Sequence, residues 1–509
     1  MSAASIPYDT PALGKAIPAS RHACVSCFPT FEDVCGYETQ DPRVLGVMET
    51  GYPRFFTHPL ILQCQQLAQQ EIARPGEELV LMTSPRLLEQ VGAAEGRPSG
   101  IRYESWEGAT ALMYPTSESA SRWIRLFLQH TGCRISSRWA EDILLRRGLL
   151  AQAQEEILLP TVEEGRNAVM SACEGMFPEI PASHIFLSNC GMSAFFSAFC
   201  LLRKAAQRKG KRRWLQLGWL YLDTMEILKK FLSSDDELVV LPRPGNTQQI
   251  LQLLEQHPEE WAGVITEFPT NPLLECCDLI EISNWCRSHK TPLVVDPTLV
   301  TGWNVQLFPY ADIVVSSFTK YAGGDGDVMG GVIAVSPDYA DATSLIEGLP
   351  DLLESPYPRD LRRLGEQIGR MRELVRKTGE TNAWLVERLR AHPGVKEVFF
   401  VESGDTAHLY QKVKRPGGGP GGMTTVVFHH PKPVHDALRM AKGPSFGLKF
   451  SLCCPFMYLA YYSMVTSEEG RAELRAAGLD PELIRFSFGL EEKEELWSRL
   501  QEALQHGHV

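Results

Sequence analysis

The chain reads as an α/β protein: a mostly parallel sheet flanked by helices, with a smaller C-terminal α+β domain. Three observations predict this. From about Glu155 onward, short apolar runs alternate with helix-length segments, the pattern of crossovers that cover both faces of a parallel sheet. A long, charged, helical stretch over 361–392 then leads into a region with fewer strands. Finally, 509 residues are too many for one core, so two or three domains are expected.

The elements follow in order. Residues 162–176 read as a helix, 184–187 as a strand and 192–209 as the helix after it. Strands at 214–217, 237–241 and 263–267 are each followed by a helix, at 223–232, 247–257 and 280–289. The apolar runs 292–296, 313–315 and 331–335 complete the sheet. Beyond the connector, strands are expected near 397–400 and 424–428. The glycine run 416–422 between them does not open a helix after a strand, so it reads as a flexible loop. Further upstream, the runs 78–82 and 110–115 are each followed by Thr-Ser and lead into a helix. The chain thus divides into an N-terminal arm (1–76), an inserted small α/β segment (77–150), a large domain (151–350), and a linker helix with a C-terminal small domain (351–509).

Bulk properties narrow the function. The net charge of −12 argues against a nucleic-acid or anionic-membrane surface. The basic run 209–213 is read as a solvated turn at a helix-to-strand junction. No apolar stretch is long enough to cross a bilayer, and residues 1–9 lack the basic and apolar regions of a secretory signal. Thirteen scattered cysteines, an odd number, suit a reducing compartment, so a cytoplasmic location is expected. Cys24 and Cys27 have CxxC spacing, with His22 and Cys35 nearby. No second closing pair follows, and Pro29 stands where a redox motif would open a helix. The stretch is read as a loop with thiols, and no metal is expected.

Candidate chemistry falls at the carboxyl ends of the strands, where ligands bind in such sheets. The apolar run 311–315 leads into Ser317-Phe318-Thr319-Lys320-Tyr321, and a glycine-rich tail, 323–331, follows. A strand ending in two hydroxyls and an amine suits a lysine held as a Schiff base with an aldehyde cofactor, with Ser317 and Thr319 on its phosphate. Alone, a strand-end lysine is more often a surface residue. Asp296 ends the preceding strand, where a carboxylate holds a pyridinium nitrogen protonated and makes the ring an electron sink. Residues 188–193 link a strand to a helix whose first N–H groups form an anion site, and Gly191 allows close approach. Tyr221 is placed to stack on a flat ring or to serve as a core tyrosine. Asn271, in the turn 267–272, is placed to reach a cofactor phenolate oxygen or to make an Asn-Pro turn.

Seven short motifs stand in one order: Tyr52-Pro53-Arg54, Gly191-Met192, residues 267–272 (Glu-x-Pro-Thr-Asn-Pro), Asp296-Pro297-Thr298, residues 317–331, Ser445-Phe446-Gly447 and residues 485–491. Together they resemble the cystathionine γ-synthase (Cys/Met metabolism) family of pyridoxal-phosphate enzymes, over about 52–491. The resemblance implies the aspartate-aminotransferase-like fold (fold type I) and pyridoxal 5′-phosphate as cofactor. It implies that Gly191 and Met192 form the phosphate turn, and that Tyr52 and Arg54 reach the cofactor phosphate of a neighbouring subunit. The active unit would then be a homodimer or homotetramer with shared sites. Arg485 would clamp an amino-acid carboxylate, with Ser445 and Glu267 beside the substrate. Lys320 would act as proton shuttle, and Tyr221 would stack on the ring and protonate the leaving group.

The implied reaction is γ-replacement: cysteine displaces the acyloxy group of an O-acylated homoserine, giving cystathionine in transsulfuration towards methionine. A γ- or β-lyase and a sulfhydrylase share nearly all these residues, and a non-catalytic protein that keeps the fold is the rival of another class. Two departures mark a divergent branch. Asp325-Gly326 replaces the family's usual His-Ser, and the 77–150 insertion separates Tyr-x-Arg from Gly-Met, as in the longer, fungal-type synthases.

Overall fold

The computed structural model describes residues 9–92, 95–232, 234 and 237–508; the leader reading of residues 1–8 lies outside them. Little regular structure forms in the arm. Strand β1 (Ala16–Ile17) pairs antiparallel with β2 (Val25–Ser26). Helix α1 (Phe31–Glu38) starts at a capping box: Thr30 accepts the Asp33 N–H, and the Asp33 carboxylate accepts the Thr30 N–H. Helix α2 (Pro59–Ile72) opens on a proline, which lacks only a donor that has no helical partner there. Successive β2 residues point to opposite faces, which separates the two thiols of the CxxC stretch. Cys27 donates to the Pro11 carbonyl and Cys24 to that of His22, and all thirteen cysteines are free.

The insertion is a three-stranded antiparallel sheet with two helices. Central β5 (Ala109–Pro115) is flanked by β3 (Glu77–Met82) and β4 (Arg102–Trp106). Ser117 caps α3 (Glu118–Thr131), which ends at left-handed Gly132, and Ser136 caps α4 (Ser137–Arg146). The helix expected after β3 does not form. Among the described residues of 83–101, a 3₁₀ turn at Leu88–Gln90 stands where that helix was expected, and the stretch leads to β4. Tyr103, Glu104 and Ser105 face solvent, so β4 lacks the apolar alternation that reveals a strand.

Seven strands form the large sheet: β6 (Ile185–Ser188), β7 (Arg213–Leu217), β8 (Leu238–Leu241), β9 (Trp261–Glu267), β10 (Leu293–Asp296), β11 (Ile313–Ser317) and β12 (Gly331–Val335). Their order is β6-β12-β11-β10-β9-β7-β8. Only β12 runs antiparallel to its neighbours. Residues 318–330 contain no crossover helix, so the chain turns back beside β11. Alternate residues feed two cores. Val294, Ile313, Val315 and Ile333 pack on one face, and Leu293, Val295, Val314 and Val332 on the other. Helices α5 (Val162–Met176), α6 (Gly191–Arg208), α7 (Leu222–Phe231), α8 (Thr247–Leu254) and α9 (Leu279–Ser288) follow the expected alternation.

Helix α10 (Ala342–Leu352) was not apparent in the sequence. The expected connector helix is two, α11 (Pro358–Ile368) and α12 (Met371–Ala391), separated at Gly369-Arg370, where glycine weakens helix propagation. The small domain has five strands: β13 (Val395–Phe399), β14 (Met423–Phe428), β15 (Ala441–Lys442), β16 (Leu452–Pro455) and β17 (Ile484–Ser487), in the order β13-β14-β17-β16-β15. The glycine run is tied down rather than free. Gly419 N–H donates to Asn304 Oδ1 (2.8 Å), Tyr410 donates to the Gly419 carbonyl (2.6 Å), and Gly422 N–H donates to the Tyr321 hydroxyl (2.7 Å). No helix among the described residues is long and apolar enough to cross a membrane.

Buried charge joins arm, insertion and linker. Glu141 of α4, with no exposed side-chain surface, pairs with Arg21 of the arm and with Arg359 of α11. Arg138, one turn away, pairs with Glu156 (2.7 Å) and Asp360 (3.1 Å). Against the opposing effect of burial, His22, Arg21 and Arg359 hold the Glu141 carboxyl well below the usual range. Glu141→Ala leaves two guanidiniums without their shared partner and is expected to cost on the order of 3–5 kcal/mol. Thermal unfolding of the purified variant against wild type measures this, and an unchanged midpoint would rule out a structural role for the network.

Candidate active site

The turn after β11 carries Lys320 into a cavity between the large and small domains. Its amine donates to Ser445 Oγ (3.2 Å) and lies 4.6 Å from the centre of the Tyr52 ring and 4.8 Å from that of Phe446. Burial, followed by the positive charges of Arg485 and Arg54, lowers its pKa to about 7. A lysine of this kind is a neutral nucleophile near pH 7.

Parallel pairing sets Asp296, at the end of β10, directly beside Glu267, at the end of β9. Both are buried. Burial pushes Asp296 up to about 6, opposed by the side-chain and backbone N–H donors of Thr298 on the same oxygen. Glu267 is pushed further up by burial and by the charge of Asp296. Its Oε1 accepts the N–H of Tyr221.

Helix α6 begins at Gly191 on the same side of the sheet. A β-carbon there would lie 2.8 Å from Ser317 Cβ, so only glycine lets the helix start meet the end of β11 so closely. Gly191 and Met192 of that first turn line the same cavity as Ser317 and Thr319.

Opposite, Arg485 of β17 donates to Asn271 Oδ1 (3.3 Å) and to the Ser445 carbonyl (3.2 Å). Its guanidinium lies over the Phe456 ring, 4.4 Å from the centre. Among the described residues, neither Lys320, Asp296 nor Arg485 makes an ion pair.

All thirteen residues proposed from sequence line this one cavity: Tyr52, Arg54, Gly191, Met192, Tyr221, Glu267, Asn271, Asp296, Ser317, Thr319, Lys320, Ser445 and Arg485. Four of them have these surroundings within the chain. Asn271, expected at a cofactor oxygen, accepts from Arg485. Ser445, expected beside a carboxylate, accepts from Lys320. Tyr52 and Arg54, implied to serve a neighbouring subunit, sit in their own chain's cavity. Arg54 pairs with Asp223 and donates to the Tyr221 hydroxyl and to the Gln129 carbonyl (2.9 Å). Helix α3 of the insertion carries Gln129 to the arm.

Sequence reading also missed Asp223, Thr298, Glu38 and the aromatic pair Phe446 and Phe456. Thr298 and Phe446 were within reach, since each stands in a quoted motif.

The site fits pyridoxal phosphate on its own chemistry. A buried, near-neutral amine suits an aldehyde. A buried carboxylate without a cation suits a protonated ring nitrogen, and a helix start with two hydroxyls and a guanidinium suits a phosphate.

The sequence model of the family described as Cys/Met metabolism PLP-dependent enzyme matches residues 179–505. An L-2-amino-4-chloropent-4-enoate dechlorinase/desaturase of Streptantibioticus cattleyicolor is 34% identical, covering 95% of this chain and 96% of its own. Cystathionine γ-synthase of Neurospora crassa is 34% identical over 63% of this chain and 51% of its own. Among solved structures, cystathionine γ-synthase of Xanthomonas oryzae pv. oryzae in complex with cystathionine superposes with a TM-score of 0.53, at 22% identity, over 64% of this chain and 81% of its own. The fold is that of type I pyridoxal-phosphate enzymes, and the chain belongs to the Cys/Met metabolism family of PLP-dependent enzymes.

Proposed function

We propose that this enzyme displaces a leaving group from the γ-carbon of an L-amino acid, and that it does so by γ-replacement: an O-acylated homoserine and L-cysteine give L-cystathionine. One observation carries the reading. Ser445 is shared, its hydroxyl by Lys320 and its carbonyl by Arg485. A carboxylate on Arg485 therefore brings the substrate Cα beside the Lys320 amine. The synthase of Neurospora crassa supports the choice of reaction.

Pyridoxal phosphate, when bound, supplies a ring that withdraws electrons and acidifies Cα and Cβ of the amino acid it carries. Gly191, Met192, Ser317, Thr319 and Arg54 would hold its phosphate, Asp296 its ring nitrogen and Tyr221 its face. Arg485 offers its planar fork to the α-carboxylate. Lys320 takes the proton at Cα and then serves Cβ, as its near-neutral amine allows. Burial keeps the Tyr221 phenol protonated far above neutral pH, so it is suited to donate to a leaving oxygen and unsuited to act as a base. Glu38 lines the same cavity, makes no ion pair among the described residues, and is pushed up to about 7 by burial. An uncharged acyl group such as acetyl meets it without repulsion; succinyl or phosphate does not. Thirteen free cysteines support a reducing, cytoplasmic setting.

A second reading, γ-elimination without an incoming thiol, is favoured by the dechlorinase/desaturase relative, which matches along nearly its whole length. Purified enzyme given O-acetylhomoserine with and without cysteine separates the two. Cystathionine formed only with cysteine supports replacement. Equal consumption in both, with an unsaturated or keto product, sinks replacement in favour of elimination.

The lowered pKa of Lys320 has its own consequence. The neutral amine attacks an aldehyde and the ammonium does not. Uptake of pyridoxal phosphate by the apoprotein should therefore rise about tenfold per pH unit up to about 7 and level off above it. Visible absorbance followed after mixing gives the rate. A rate that keeps climbing past pH 9 would mean that the amine is not perturbed.

A further inference from the structure

We propose that Asp325 is a positioning residue for the amino-acid substrate. Through Lys449 it pins the loop 443–451 to the Lys320 turn, and so fixes the α-carboxylate site at Arg485 relative to the reacting amine. The inference rests on the reading of Arg485 as that site, and not on whether replacement or elimination follows.

The first ground is the loop itself. Ser445 touches both groups, its hydroxyl accepting from Lys320 (3.2 Å) and its carbonyl from Arg485 (3.2 Å). The rest of the loop is bound to β17 and to the chain that leaves it. Gly447 N–H donates to Ser487 Oγ (2.9 Å), and the Lys449 carbonyl accepts the Leu490 N–H (2.9 Å). Glu491 accepts both the N–H (2.7 Å) and the hydroxyl (2.8 Å) of Ser451. Loop and Arg485 therefore form one unit.

The second ground is what ties that unit to the Lys320 turn. The bond from the Lys320 amine to Ser445 is given up whenever the amine takes part in chemistry, so the loop needs a tie of its own. Gly447, at φ +71°, packs so closely that a β-carbon would lie 3.0 Å from the Tyr321 nitrogen. Lys449 N–H donates to the Gly324 carbonyl (2.9 Å), and the Lys449 amine pairs with Asp325 Oδ1 (2.8 Å). The Asp325 and Lys449 side chains are 16% and 22% exposed, so salt screens this pair less than a surface one.

The third ground is the anchoring of Asp325. Its Oδ2 pairs with Arg363 of α11 (2.9 Å) and with Arg370 (3.4 Å), and its N–H donates to Gln367 Oε1 (2.9 Å). One oxygen thus holds the linker and the other the substrate loop, which makes Asp325 the joint of the Lys320 turn, the linker and the small domain. It also stands at one of the two departures from the family. The usual histidine has no anionic oxygens to set between Lys449 and Arg363.

Binding of L-alanine and of ethylamine to the cofactor-loaded enzyme tests the proposal. The two differ by the α-carboxylate alone, and neither carries a γ leaving group. Titration followed by the visible absorbance of the bound cofactor gives both dissociation constants, and their ratio reports the carboxylate site. Asp325→Asn and Lys449→Met should each reduce the preference for L-alanine about threefold or more, with ethylamine binding unchanged. Arg363 keeps Asp327 (2.9 Å) and Glu366 (3.1 Å) in the first variant, so the linker retains its hold. The double variant should be no worse than the more damaged single. Equal weakening of both ligands would show a general structural role and overturn the proposal, and so would losses that multiply. Arg485→Lys is the control. If it reduces the preference and the other two variants do not, this inference alone falls. If it too leaves the preference unchanged, the reading of Arg485 falls and takes this inference with it.

Discussion

The site depends on burying an amine between two guanidiniums without giving it a carboxylate. Lys320, Arg54 and Arg485 are the cations that line the cavity, and each is treated differently. Lys320 is pressed towards neutrality by burial and by the other two charges. Arg54 is cancelled by Asp223. Arg485 donates to the neutral oxygens of Asn271 and Ser445 and makes no ion pair among the described residues. In a low-dielectric cavity this leaves one uncompensated guanidinium, and a substrate carboxylate is the group that fits it. Selection of an amino acid and activation of the lysine thus come from the same distribution of charge.

The sheet supplies the opposite charge with equal economy. Asp296 and Glu267 are register partners at the ends of adjacent strands. Two buried carboxylates so close do not both ionise readily. Thr298 gives Asp296 two donors, which favour its anion, whereas Glu267 receives only the Tyr221 N–H. Glu267 is therefore the one that holds the proton. Asp296 remains the anion, at the position where a protonated ring nitrogen needs it.

Much of this was legible in the sequence because it is local. The strands of the large sheet are buried on both faces and show as apolar runs, and the site residues stand at their ends. What was not legible is tertiary. Strand β4 is polar, so its run 102–106 carries no strand signal. The break at Gly369-Arg370 lies inside an otherwise continuous helical pattern. The glycine run 416–422 has the composition of a free loop, but it is tied to Asn304, Tyr321 and Tyr410, which are distant in sequence. Asp223 looks like any acid in the first turn of a helix; only packing reveals it as the counter-charge of Arg54. For the same reason, the motif Tyr52-Pro53-Arg54 identifies the chemistry but not the chain it serves.

That last point has an energetic side. Asp223 is fully enclosed, and an enclosed carboxylate without its partner costs several kcal/mol. Arg54 supplies that partner. The opposing term is the entropy of ordering a long arm with little regular structure. The buried pairs of Glu141 and Arg138, together with the shared core of α3 and α6, are what offsets it. The insertion, the arm and the loop at Asp325-Gly326 are thus joined to one another by buried ion pairs and backbone hydrogen bonds.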